Sequence, residues 1–168
     1  GNQTDLFEQV RLGQRAALLA LKVDLLEQVR LVPTVQDRPT LMVLEAQGGR
    51  LHWAGFSRMV PRFPGRRYPH AADSMNLCLN YGYAVLARHW LNITLQAGLD
   101  PHLGVLHADR AGRPSLVLDL MEPWRPWVDR TVVGLVRQGV ALPSQGSELS
   151  LEARKRLLQA LHRTFSAH

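Results

Sequence analysis

The stretch Asp73 to Ala97, D-S-M-N-L-C-L-N-Y-G-Y-A-V-L-A-R-H-W-L-N-I-T-L-Q-A, decides the fold. An aspartate suited to capping stands at its head and Gly98 follows its tail, so both ends of a helix are marked. Between them Met75, Leu77, Leu79, Tyr81, Tyr83, Val85, Leu86, Trp90, Leu91, Ile93 and Leu95 cover nearly every side. A helix apolar all round belongs inside a protein, and this one is expected to be the spine of the domain.

The flanking segments read as helices too. From Asp5 to about Val32 apolar residues recur at three- and four-residue steps except around Gly13, which predicts one long or interrupted helix stopped by Pro33. A second helix is expected from Pro39 through Glu45 towards Phe56. Gly48 and Gly49 in its middle imply either a close backbone approach or a break. Arg58 to Ala72 reads as the longest loop and Leu99 to His107 as a short apolar link. Asp109 to Pro114 is a turn, and Ser115 to Leu120 opens a helix continued by Pro123 to Gln138 with a kink. Gly139 to Glu148 is a loop, and Ser150 caps a last helix. No strand pattern stands out. The expected class is all-α, one helical domain of about five to six helices.

Composition narrows the function. With 168 residues, 46% of them hydrophobic, the chain is long enough for one real core and is not a disordered tail. The single cysteine, Cys78, excludes an internal disulfide and fits a reducing compartment, most simply the cytoplasm. No apolar run approaches a membrane span, so no membrane role is expected. The net charge of +6 suggests a polyanionic partner. Of the basic residues only Lys22 and Lys155 are lysine; arginine matches phosphate bidentately, although a GC-rich genome gives the same bias. Between Glu45 and Asp73 stand Arg50, Arg58, Arg62, Arg66 and Arg67 with no acid among them, a local positive field suited to phosphates.

Ser115 to Arg125, S-L-V-L-D-L-M-E-P-W-R, places Asp119 and Glu122 in an apolar run. Three residues apart on a helix they share a face, while Leu116, Leu118, Leu120 and Met121 are free to turn inward. A carboxylate withdrawn from water calls for a compensating cation, and Arg125 or a metal ion would serve.

Upstream lies Gly98 to His107, G-L-D-P-H-L-G-V-L-H. With D-L-M-E-P-W-R-P downstream it resembles the signature of the CRISPR-associated integrase family of spacer acquisition. Leu41 to Ala46 followed by Trp53 and Phe56, Asp73 to Tyr83, and Leu149 to Lys155 are similar to three further family segments, in the right order. The resemblance implies a metal site of Glu45, His107 and Glu122 holding Mg²⁺ or Mn²⁺, with Asp119 as a supporting carboxylate or occasional ligand. Two carboxylates and an imidazole suit those ions and not a closed zinc site. It further implies phosphoryl transfer on double-stranded and branched DNA, with Arg58, Arg62, Arg66, Arg67, Arg110 and Arg113 on the backbone phosphates. A small companion protein and a homodimer are the implied partners. The family's N-terminal β-rich domain has no counterpart here, and Gly48 and Gly49 stand where the family has alanines.

Overall fold

In the computed structural model, Asp73 accepts a hydrogen bond from the Asn76 amide at 2.9 Å and starts the central helix, as the sequence leads one to expect. The structure describes residues 2–60, 63–107 and 110–166, with only the backbone described for 2–14. Six α-helices fall in these residues: α1 (Asn2–Leu31), α2 (Arg38–Met59), α3 (Ser74–Gln96), α4 (Ser115–Met121), α5 (Arg125–Arg137) and α6 (Leu151–Ser166). A two-stranded antiparallel hairpin, β1 (Ser144–Gln145) and β2 (Glu148–Leu149), pairs Ser144 with Leu149 within the stretch expected to be a loop. The all-α class holds. Contacts divide the chain into two compact units, Gly1–Arg66 and Arg67–His168.

In the first unit α1 and α2 pack on each other. Arg58 donates to the Ala17 carbonyl at 3.2 Å, and Leu21 lies 3.6 Å from where a Gly55 Cβ would stand, so the helices run antiparallel. No break occurs at Gly13; α1 runs on to Leu31, and a 3₁₀ turn, Val32–Thr34, takes up Pro33. Asp37 caps α2, its carboxylate accepting from the Thr40 amide at 2.8 Å, and the helix continues three residues past Phe56 to Met59. Arg58 is therefore a helix residue and not the first residue of the loop. Gly48 and Gly49 do not break α2, and beyond the helix's own adjacent backbone no described atom lies within 4 Å of a Cβ built on either. Trp53, Phe56 and Phe63 form an aromatic cluster with ring separations of 5.3, 4.7 and 6.1 Å.

The second unit is built on α3, against which α4, α5 and α6 all pack. Its N-terminal half is buried on successive sides at Asn76, Leu77, Cys78 and Leu79. The expectation of burial all round fails beyond Leu86, because Ile93 and Leu95 are exposed and the far half presents one face only. Val117, Met121, Val128, Val132, Leu157 and Leu161 complete the core. Each such side chain contributes about 1.5–3 kcal/mol by leaving water. Gly82 lets α5 approach closely, since a Cβ there would sit 2.5 Å from Val128 Cγ1. Gly82→Ala is therefore expected to lower stability by about 1–3 kcal/mol in chemical denaturation, through overpacking that the gain in helix propensity does not offset.

Burial pushes the Cys78 thiol up to about 12, and the Asp73 carboxylate adds to the shift. A thiol so far from ionising does not act as a nucleophile at neutral pH. Native protein at pH 8 is expected to resist iodoacetamide and to take up one equivalent, at its single cysteine, once unfolded in guanidinium; mass spectrometry reads both.

Candidate active site

The segment between α3 and α4 is braced against α4. His102 donates its amide to Asp100 Oδ1 at 2.9 Å, its Nδ1 lies 2.9 Å from the Arg113 carbonyl, and Leu116 donates to the Pro101 carbonyl at 3.0 Å. The expected apolar link is thus a folded series of turns, with Leu103 and Val105 exposed. Gly104 is what lets it seat so closely. A Cβ there would lie 2.5 Å from the His107 carbonyl and 2.6 Å from Ser115 Cβ, closer than side-chain atoms approach.

The bracing converges on Asp119. Its Oδ2 accepts from the amides of Val105 at 2.6 Å and Leu106 at 2.9 Å. Its Oδ1 accepts from the His107 amide at 3.0 Å and lies 2.6 Å from His107 Nδ1. Three backbone N–H groups and one imidazole supply the compensation that the sequence led one to seek in an arginine or a metal. Burial pushes the Asp119 carboxyl up, but the His107 hydrogen bond and the Leu106, His107 and Val105 amides together outweigh it and hold the group below its ordinary value. Asp119 is thus ionised at neutral pH and only accepts. His107 Nδ1 must then carry the proton, which directs the lone pair of a neutral ring onto Nε2. The ring's side chain is 13% exposed.

Glu122 stands just beyond the end of the helix that carries Asp119. α4 ends at Met121, and Glu122–Trp124 form a 3₁₀ turn before α5. The inward residues of α4 are Val117 and Met121; Leu116, Leu118 and Leu120 are only partly covered. Glu122 Oε1 meets Arg125 Nη1 at 3.3 Å, one of the two partners the sequence left open.

Glu45 stands exposed on α2, in the first unit. Among the described residues no three His, Cys, Asp or Glu side chains are gathered around one point to hold a metal ion. Of the proposed phosphate contacts, Arg58, Arg67 and Arg110 are exposed and Arg113 is half-buried, while the Arg66 guanidinium lies 5.6 Å from the Trp53 ring centroid. Arg62 lies outside the described residues. Among the described residues no helix is long and apolar enough to cross a membrane. The three amides and Gly104 were not picked out from sequence. Backbone donors have no residue signature, and the one available trace was a glycine within an otherwise apolar run.

A family model described as CRISPR associated protein Cas1 matches residues 1–163. CRISPR-associated endonuclease Cas1 2 of Pyrobaculum aerophilum is 42% identical over 127 residues, covering 76% of this chain and 41% of that protein. CRISPR-associated endonuclease Cas1 1 of the same organism is 45% identical over 104 residues, or 62% and 34% of the two chains. A chain of a solved partial Cas6-RT-Cas1–Cas2 complex superposes with a TM-score of 0.82 at 26% identity, over 91% of this chain and 50% of that one. The chain thus spans less than half the length of these two curated relatives.

Proposed function

The chain belongs to the Cas1 family, and from that premise we propose that it is the helical catalytic domain of a metal-dependent DNA integrase and endonuclease of CRISPR adaptation. The observation that carries the reading is the His107–Asp119 pair. A carboxylate fixed by three amides holds one imidazole nitrogen at 2.6 Å and leaves Nε2 as the ligand nitrogen. This is the arrangement by which a supporting carboxylate orients a metal-binding histidine and raises its basicity. Asp119 is then a positioning residue and not a ligand, because both its oxygens are engaged.

The donor chemistry fits Mg²⁺ or Mn²⁺. Glu45, His107 and Glu122 would hold the ion, a set of two carboxylates and one imidazole that leaves positions for water and phosphate oxygens. Bound there, it would supply Lewis acidity at the scissile phosphate of a strand attacked by a 3′-hydroxyl or by water. The chain's own part is to keep the His107 ring aimed, to offer the Glu122 carboxylate, and to neutralise backbone phosphates with Arg58, Arg66, Arg67, Arg110 and Arg113. Replacing one phosphodiester by another is nearly energy-neutral, so the same site would also run backwards on branched DNA. A small companion protein of the kind named in the Cas1–Cas2 complex, a second copy of the chain, and a cytoplasmic setting complete the proposal.

A second reading is a domain that binds DNA yet does not catalyse without the rest of the protein. The share of its relatives that the chain spans, 41% and 34%, favours it. The two part company in one experiment: fluorescence anisotropy with a DNA duplex across a salt series, run beside a strand-transfer assay in Mn²⁺. Salt-dependent binding with strand transfer is expected from the catalytic domain. Binding without strand transfer selects the second reading, and absence of both overturns the two together.

A further inference from the structure

The residue that holds Glu122 is itself held. Arg125 opens α5, and beyond its 3.3 Å contact with Glu122 its guanidinium carbon lies 5.0 Å from the centroid of the Tyr83 ring on α3. Its Nε is buried and has no hydrogen-bond acceptor among the described residues. The π face of Tyr83 is therefore the favourable surface offered to the inner end of this cation. Tyr83 is fixed in turn, its hydroxyl donating to Oδ1 of Asp129, and both residues are buried, at 9% and 6% exposure. Asp129 lies four residues after Arg125 on α5, so the same helical face carries the arginine and the carboxylate with the tyrosine of α3 between them.

We propose that Tyr83 and Asp129 are positioning residues for Glu122, acting through Arg125. Each link has a physical direction. A phenol donating to an ionised carboxylate shifts electron density into its ring and so strengthens the ring's attraction for a guanidinium. A guanidinium fixed on that ring presents its outer nitrogen at one place, and the Glu122 carboxylate follows. The 3₁₀ turn needs such help. Pro123 within it and Pro126 just after it carry no amide hydrogens, and the Arg125 N–H closes it on the Glu122 carbonyl. Trp124 steadies the same turn against α3, its ring 5.9 Å from that of Trp90.

This inference rests on the reading of Glu122 as a metal ligand, and its test keeps the two apart. Side-chain NMR of Arg125 Nε–H and of the Glu122 carboxyl carbon is recorded for the wild type, Tyr83→Phe, Tyr83→Leu and Asp129→Asn. Mn²⁺ affinity is measured by EPR on the same proteins and on His107→Ala. The expected wild-type Arg125 resonance is shifted upfield by the ring. Tyr83→Leu is expected to abolish that shift, to displace the Glu122 resonance and to weaken Mn²⁺ binding about tenfold. Tyr83→Phe, which keeps the ring and loses the hydroxyl, and Asp129→Asn are expected to fall between wild type and Tyr83→Leu in all three readouts. A Tyr83→Leu protein that is merely less stable, with Arg125 and Glu122 resonances and Mn²⁺ affinity unchanged, overturns the proposal. Wild type that binds no Mn²⁺, or His107→Ala that binds it equally well, defeats the metal reading of the site; the two resonances then decide the positioning claim by themselves.

Discussion

His107→Ala is expected to reduce metal-dependent strand transfer by at least about 100-fold while leaving DNA affinity within roughly twofold of wild type. The asymmetry follows from what the side chain does. Its Nδ1 is taken up by Asp119, so truncation removes the proposed ligand nitrogen, Nε2, and none of the proposed phosphate contacts. The basic residues proposed for DNA, from Arg58 to Arg113, are untouched. A gel-based strand-transfer assay in Mn²⁺ paired with anisotropy on the same duplex reads both halves. Equal loss of activity and binding would place His107 in the DNA surface and not in a metal site.

Asp119→Asn is expected to cost about 2–3 kcal/mol, a fall in Tm of roughly 5–10 °C, despite being nearly isosteric. Both oxygens of the carboxylate accept: Oδ1 from the His107 amide and facing its Nδ1, Oδ2 from the amides of Val105 and Leu106. An asparagine has one oxygen and one NH₂, so whichever way it turns, donors meet a donor. The loop that presents His107 loses its anchor and the ring its fixed tautomer, so strand transfer is expected to fall about 10–100-fold as well. The pH dependence has a definite sign. A carboxyl held below its ordinary value of 3.8 stabilises the fold fully above that value and loses this contribution as pH falls through its lower folded value. The stability gap between wild type and Asp119→Asn should therefore be widest near neutrality and close in acid. Thermal melts from pH 7 down to pH 2.5 check this; a gap independent of pH would mean that the ionised carboxylate is not what the amides stabilise.

What the sequence made legible was mostly what helix ends and periodicity encode. Asp73 and Gly98 bracket α3 to within a residue because a capping carboxylate and a glycine at a φ of 71° are local devices with local signatures. The hairpin at Ser144 to Leu149 went unseen because two-residue strands leave no alternation to detect. Pro61 and Pro64 make the stretch from Arg58 read as a loop, whereas α2 runs through Met59 and Arg58 donates from it to the Ala17 carbonyl.

The candidate site was legible in its side chains and not in its backbone. Residue types and order singled out His107, Asp119 and Glu122, and Arg125 was one of two cations offered for the acidic run. The environment of Asp119 was not readable, since it is made of main-chain amides brought over from residues 105–107, and no side-chain pattern announces where a backbone turns its donors. Nor did the sequence distinguish the two acids' roles. Their three-residue spacing treats them alike, yet one accepts from the amides of residues 105–107 while the other meets Arg125.

The central claim is that His107 and Glu122 belong to a metal-dependent phosphoryl-transfer site. It is tested most directly by a disintegration assay on branched DNA in Mn²⁺, with wild type beside Glu122→Ala at matched DNA occupancy. The account predicts rejoined product from the wild type and about 100-fold less from the variant. Equal product from both proteins would contradict it.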